Sequence, residues 1–311
     1  MTTQRTVLEV DLAPMAGRRF QPTGFPDLGA AEFDSADGSK CLLVESAQSM
    51  ANRLEATTWD DATNDQSKEL DALPYVRIVT SGDDFLSSSR LEAHRLASAY
   101  VMDATIDGRK GTEWLAAELG LAKGRPLDYR AVARVCFKLD PVSLIHGVFF
   151  ARKEWPWQPK IARAVTGFIE ADMVRPAVSG GVKRDLVVNE AGVNAETGKR
   201  GTSEGRGSVP YHRVEYTAGK ITAYFVVDHA QFRSYGLSEA ATALLEALAD
   251  FEIGSLLDGG LRLRTACDLR VLEMRGQRPD ANEAATRIAK LAADCSGELG
   301  SMTKAIWSRS K

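Results

Sequence analysis

The sequence predicts an α+β protein, an antiparallel sheet with helices on one face and long insertions. Three observations carry this. Strand patterns alternate with helix patterns, but no regular run of β-α repeats appears. Two alternating runs, VPYHRVEYT and KITAYFVVD, flank Ala218-Gly219 and predict a hairpin, with glycine supplying the permissive backbone of a short turn. The apolar fraction of 44% beside 26% charged residues suits a packed core under a water-facing surface.

Thr6 to Ala13 alternates, Leu8, Val10 and Leu12 against Glu9 and Asp11, as a half-buried strand does. MAGRRFQPTGFPDLGAAEF is dense in glycine and proline and reads as a long ordered loop. Cys41 to Val44 is a short apolar strand. The segment ESAQSMANRLE is a helix opening at Ser46. Ala47, Met50, Ala51 and Leu54 form its apolar stripe, and Gln48, Asn52 and Glu55 line a polar edge. Ser49 and Arg53 lie on its far side. Tyr75 to Thr80 reads as a strand, and Ser89-Arg-Leu-Glu92 as a capping box opening a helix through LEAHRLASAY. Residues 110–138 carry two helical patterns, one with Trp114, Leu115 and Leu119, the next with Tyr129, Val132 and Cys136.

PVSLIHGVFFA is expected as a buried strand, and KIARAVTGFIEAD as a second, with Arg163 in its first half. Residues 173–210 hold SGGVKRD and GKRGTSEGRGS, whose composition builds no core, so an extended excursion is expected there. Ser238 caps a helix through ATALLEALADF. GGLRLRTACDLR then leads into a strand from Leu261 to Leu272. It buries Leu261, Leu263, Cys267 and Leu269 and turns Arg262, Arg264 and Arg270 to the other face. Asp280 with Glu283 caps a last helix. The expected organisation is one domain over 1–311, with a mostly helical insertion within 45–138, the 173–210 excursion, and a C-terminal helix within 280–311.

Several function classes lose support. No apolar run reaches membrane-spanning length, and MTTQRTVLEVDLAP enters a strand pattern without the apolar stretch of a signal peptide, so a cytoplasmic location is expected. Cys41, Cys136, Cys267 and Cys295 are far apart, which fits reduced buried thiols better than a zinc site. No nucleotide-fold glycine fingerprint occurs, and no two of the four histidines have metal-ligand spacing on one element, so no cofactor or metal is expected. Carboxylates are many but unmarked, and no acid-base pair stands out.

Charge is unevenly spread. The net charge of −3 divides into −6 over residues 1–151, +4 over 152–213 and −1 over 214–311. A positive middle inside an acidic chain fits one anion-binding face. The arginines of LRLR suit phosphate, because a guanidinium donates two parallel hydrogen bonds and keeps its charge. Lys183, Arg184, Lys199, Arg200 and Arg206 sit in a glycine-rich context that favours wrapping a nucleic-acid strand. Phe20, Phe25 and Tyr211 are candidates to stack on bases, or packing plugs beside glycines. His146, in an apolar run, reads as a core imidazole.

In this order, RRFQPTGFPDLGAAEF, LLVESAQSMANRLE, SSSRLEAHRLASAY, LIHGVFFA, RAVTGFIEAD, SGGVKRD and GGLRLRTACDL resemble a CRISPR-associated RAMP protein. More narrowly they resemble the backbone subunit of the type I-G (formerly I-U) Cascade complex, from about residue 7 to 272. The resemblance implies an RNA-recognition-motif-like, ferredoxin-like core with helical and hairpin insertions. It implies a non-catalytic subunit that oligomerises along CRISPR RNA, beside other Cascade subunits, and presents the guide for pairing with target DNA.

Carried over residue by residue, the implied guide contacts are Gln48, Asn52, Arg53, His94, Arg95, Arg163, Lys183, Arg184, Arg262 and Arg264. A thumb that flips guide bases is implied within 173–210. The aromatic sheet motif of ordinary RNA-recognition domains is not evident in the sequence, so sheet-face stacking is not expected. Related type III backbone subunits cut target RNA with a loop aspartate; Asp83 or Asp84 is a candidate by position, but nothing in the sequence places either near a substrate. The alternative is a RAMP-type endoribonuclease with His94 as general acid or base, and a metabolic enzyme is a more distant third. For about four phosphates held per copy, log affinity for RNA should fall against log salt with a slope of roughly −3.

Overall fold

The computed structural model describes residues 4–25, 29–183 and 209–308. Its main sheet has eight strands: β1 (Arg5–Pro14), β2 (Gly24–Phe25), β3 (Gly29–Asp34), β4 (Lys40–Glu45), β5 (Val165–Asp172), β8 (Lys220–Asp228), β9 (Leu261–Arg264) and β10 (Cys267–Arg275). The order across it is β9-β10-β1-β8-β5-β4-β3-β2, antiparallel at every step. A separate ribbon pairs β6 (Arg175–Lys183) with β7 (Val209–Thr217).

The α+β expectation therefore holds, and so does the antiparallel sheet. Leu8, Val10 and Leu12 of β1 are buried beside Ile221, Ala223 and Phe225 of β8, as the alternation requires. The helix α1 (Ala47–Ala56) is capped by Ser46, whose hydroxyl accepts from Ser49 N, and it buries Met50, Ala51 and Leu54. It lies close on β5, where a Cβ on Gly167 would come within 2.8 Å of Met50 Cγ. The helices α5 (Glu239–Gly259) and α6 (Ala281–Asp294) start at the expected caps, Ser238 and Asp280.

Several expected elements are different. The long loop after β1 contains β2 and β3, which extend the sheet edge. The helix expected through LEAHRLASAY does not form. Ser89 Oγ donates instead to Asp140 Oδ2 at 2.7 Å, Arg95 takes a positive φ of 53°, and only the short turns Arg95–Ala97 and Ala99–Met102 result. PVSLIHGVFFA is not a strand. Asp140 accepts from Val142 N and Ser143 Oγ, starting the helix α4 (Val142–His146), and a two-residue strand, Val148–Phe149, follows Gly147. The two helices between are α2 (Gly111–Glu118) and α3 (Tyr129–Leu139). KIARAVTGFIEAD splits into Lys160–Ile161 and β5, with Arg163 in the break.

Leu261 to Leu272 is likewise two strands, turning at Thr265-Ala266, because Leu261 pairs with Leu269 and Arg262 with Asp268. The face assignment survives: Leu261, Leu263, Cys267 and Leu269 are all buried. The C-terminal segment adds a strand, Thr303–Ile306, parallel to Val76–Val79 in a second sheet that also takes in Phe85–Ser88, Thr105–Ile106 and Arg109–Lys110. The stretch 45–138 thus mixes helices with strands of that sheet. All four cysteines are free and buried.

The expected hairpin at Ala218-Gly219 does not exist either. β8 has to lie between β1 and β5 to bury its apolar face, so β7 pairs with β6 instead. Val165 faces Val227 and Asp172 faces Lys220, and the same register runs on from Arg175 opposite Thr217 to Lys183 opposite Val209. Strands β5–β6 and β7–β8 are thus the two arms of one long hairpin, about 60 Å if straight. It bends once. Met173 has a φ of 53°, and Val174 N leaves the ladder for Lys40 O at 2.9 Å. Beyond the bend Val178, Tyr211 and Val214 are exposed, so the ribbon stands off the core.

Candidate nucleic-acid interface

An open groove of about 660 Å³ runs beside the N-terminus of α1. Its lining includes Gln48, His94, Arg95, Arg152, Lys160 and Arg163, with Phe149 and His146, and no carboxylate among the described residues. The turn carrying His94 and Arg95, the α4–Gly147 junction and the β-break at Arg163 each supply one wall. All three are places where the expected regular element fails to continue.

The cations differ in how free they are. Arg95 is buried, its guanidinium bidentate on Glu55 at 2.5 and 2.7 Å and donating to Gly147 O at 3.1 Å. It shapes the wall and has little left to offer a ligand. Burial pushes the Glu55 carboxyl above its ordinary range. Arg163 donates from Nη1 to Ala47 O at 2.7 Å and from Nε to His146 O at 3.4 Å. Partial burial, and then the charge of Arg95, lower its pKa without approaching neutrality at ordinary pH. Among the described residues Arg152 makes two long ion pairs, 3.6 Å to Asp103 and 3.9 Å to Glu154. Lys160 is exposed, with Nζ 5.9 Å from the Phe149 ring centroid. Phe149 is itself 48% exposed, so an aromatic face flanked by an ammonium opens into the groove. Below it His146 Nε2 lies 2.7 Å from Glu252 Oε2, and both side chains are buried, the core role expected for this imidazole.

A second recess of about 510 Å³ lies where Ser49 of α1, Gln21, Thr23, Arg213 of β7 and Arg264 of β9 meet. Gln48 and Ser49 are adjacent in sequence, so the first turn of α1 separates the two hollows. Arg264 is not a free cation here. Its Nη2 lies 2.7 Å from Glu45 Oε2 and 2.5 Å from Thr23 Oγ1. Arg53 lines neither hollow; it donates to Glu45 Oε1 at 2.8 Å and to Leu263 O at 2.6 Å.

The remaining sequence-predicted residues are more scattered. Asn52 is exposed on α1, and Arg262 is exposed on β9 outside both hollows. Lys183 ends β6 in backbone terms, and Arg184 lies outside the described residues, as do Lys199, Arg200 and Arg206. Phe20 is a buried plug bridged to Tyr216, so it cannot stack on a base. Tyr211 is exposed on the ribbon, with the Arg213 guanidinium 6.0 Å from its ring centroid. Asp83 forms an ion pair with Lys304 at 2.5 Å, and neither it nor Asp84 lines the groove.

Sequence reasoning missed Phe149, Arg152, Lys160 and Arg213. The pair Phe149-Phe150 carried a usable signal, since neighbours on extended backbone point to opposite sides and one of the two had to face water. It also missed an aromatic pair on the sheet: Phe168 of β5 and Tyr224 of β8 stack with centroids 5.1 Å apart.

Among the described residues no group of three or more His, Cys, Asp or Glu is placed to hold a metal ion, and no helix is long and apolar enough to cross a membrane. Residues 6–176 match the family model described as CRISPR-associated protein GSU0053 (Cas_GSU0053). No curated protein matches the chain. Among solved structures, a chain of a "CRISPR RNA-guided surveillance complex, pre-nicking" is similar at 12% identity and a TM-score of 0.42, over 94% of this chain and 86% of that one. Csc2 of Thermofilum pendens is similar at 11% identity and a TM-score of 0.32, over 96% and 76%. Both scores are too low to carry residue roles across.

Proposed function

Because this chain belongs to the CRISPR-associated GSU0053 family, with more than half its length matched, we propose that it is a non-catalytic subunit that binds CRISPR RNA. In this reading it is a RAMP-type backbone subunit of a Cascade complex, of type I-G, and several copies line up on one guide that pairs with target DNA. The observation that carries the RNA-binding reading is the groove. It gathers Arg152, Lys160 and Arg163 around an exposed Phe149 and, among the described residues, presents no carboxylate. Cations hold phosphates, and an aromatic face takes an unstacked base of any sequence, which is what a guide-holding protein needs.

Element order supports the fold part of the proposal. β1, α1, β5, β8, α5 and β10 follow one another in the chain, and the corresponding strands lie in the order β10-β1-β8-β5. With other elements between them, this order and strand arrangement match the βαββαβ pattern of a ferredoxin-like, RNA-recognition-motif-like unit and support that reading. The long hairpin continuing out of β5 and β8 is the natural thumb, rooted in the two adjacent strands of the core.

The test is to express the chain with a repeat-spacer RNA and measure the absorbance at 260 nm of the purified protein. Small RNA should co-purify, and multimers should form on it. Protein free of nucleic acid that shows no affinity for single-stranded RNA would end the proposal. His94 on the groove lip keeps the endoribonuclease alternative concrete. Site-specific cutting of repeat RNA that disappears in His94→Ala would favour it.

A further inference from the structure

The face of the sheet turned away from α1 and α5 has a character unlike the grooves. Cross-strand register places Arg275, Glu9, Tyr224 and Phe168 in one row, and Glu273, Asp11, Thr222 and Glu170 in the next. The Phe168–Tyr224 stack lies near the middle, half-buried, with Asp172 two residues beyond Glu170 on the same face. Five carboxylates share this face, in the stack's own row and in the rows to one side of it: Glu9, Asp11, Glu170, Asp172 and Glu273. The two cations among them are already engaged, Arg275 on Glu9 and Asp11, and Lys220 on Asp11 at 3.2 Å. Glu170 has no cationic partner among the described residues, and burial with the neighbouring Asp172 pushes its carboxyl up.

Such a face repels phosphate, so its aromatic pair is not an RNA platform. It suits a guanidinium, which can lie on an aromatic ring while donating to a carboxylate. The same chain carries the complement. At the far edge of the same sheet face, Arg262 of β9 and Arg270 of β10 are exposed; Asp268 stands opposite Arg262 in the ladder, but neither arginine side chain has a hydrogen bond or ion pair among the described residues.

We propose that this face is a docking surface for a second copy of the chain, with the Arg262–Arg270 edge of one copy seated on the Phe168–Tyr224–Glu170 patch of the next. Each copy gives its edge to one neighbour and its patch to the other, so the contact is heterologous and builds an open array. The inference rests on the self-assembly in the proposed function, but not on its RNA groove, which lies elsewhere.

The test uses the full chain in three forms: wild type, a face variant (Glu170→Lys with Asp172→Lys) and an edge variant (Arg262→Glu with Arg270→Glu). Each is checked for unchanged circular dichroism and Tm. Sedimentation velocity at low salt should show wild-type self-association weakened at least tenfold in each variant. Mixing the two variants should restore association, because a lysine-bearing face then meets a glutamate-bearing edge. An 8-nucleotide RNA, too short to bridge copies, should bind the face variant within about twofold of wild type. Folded variants that self-associate like wild type would overturn the proposal. So would a mixture that stays monomeric, or a face variant that keeps self-association but loses a different co-purifying protein. Failure of the short RNA to bind even wild type would sink the RNA reading and leave the docking result to stand alone.

Discussion

Arg53 and Arg264 grip opposite oxygens of one buried carboxylate, Glu45, which is fully shielded from solvent at the end of β4. One arginine comes from α1 and the other from β9, 211 residues later, so the pair ties the edge hairpin to the first helix. The resemblance had made both guide contacts. The structure makes them first of all a clamp, and Arg264 reaches a hollow only with what the clamp leaves exposed.

Removing the shared carboxylate should therefore cost stability. Glu45→Gln leaves two guanidiniums facing each other with no counter-charge, and should destabilise the chain by about 2–4 kcal/mol. That is somewhat less than for wholly buried pairs, because both arginines reach water. Urea denaturation measures it. A change below about 0.5 kcal/mol would mean the clamp is ornamental.

Arg95 should behave as a structural post. Arg95→Ala strands Glu55 in the core and should cost about 3–5 kcal/mol, whereas Arg95→Met with Glu55→Leu should recover most of the loss. Thermal unfolding of the three proteins decides this. A stable Arg95→Ala protein that fails only in RNA binding would return Arg95 to the list of direct contacts.

Gly167 is the point where α1 comes closest to β5. A Cβ there would sit 2.8 Å from Met50 Cγ and 2.9 Å from Phe225 Cδ1, so Gly167→Ala should overpack the interface by about 1–3 kcal/mol. The groove beside α1 should loosen with it, visible as faster hydrogen exchange in residues 47–56.

Glu170 gives a pH signature. Its folded-state pKa lies above the unfolded value of about 4.3, so folding takes up a proton, and stability falls as pH rises through that window. Glu170→Gln removes the penalty. It should raise Tm at pH 7 and have no effect near pH 3, where wild type is protonated in both states. A gain that is equal at both pH values would mean that the cost of holding Glu170 ionised, from its burial first and from Asp172 second, is not the cause.

Periodicity read the core well and the grooves poorly, for a physical reason. Leu8, Val10 and Leu12, or Met50, Ala51 and Leu54, reveal their element because burial repeats with the backbone. Even where the expected strand from Leu261 became a hairpin, its buried set was unchanged, since a tight turn keeps the apolar residues of both strands on one side. The groove is built from interruptions: Arg95 at positive φ, the helix α4 where a strand was expected, and Arg163 in a break between strands. Each depends on a distant partner, such as Asp140 drawing Ser89 out of a capping box, and no local pattern records that. The pairing of β7 with β6 was hidden likewise, because Ala218-Gly219 makes an equally good turn and only the two-sided demand of β8 excludes it. Gln48, His94, Arg95 and Arg163 do converge, while Arg152 and Lys160 beside them carry no mark in the sequence, and Phe149 only that of its place beside Phe150.

The central claim is that the carboxylate-free groove holds RNA by its phosphates. The most direct measurement is the salt dependence of affinity for single-stranded RNA, in wild type and in a variant combining Arg152→Ala, Lys160→Ala and Arg163→Ala, with Tm checked. Wild type should show a log–log slope of roughly −3, and the variant a weaker affinity with a slope shallower by about 2. A folded variant with the wild-type slope and affinity would place the RNA somewhere else on the protein.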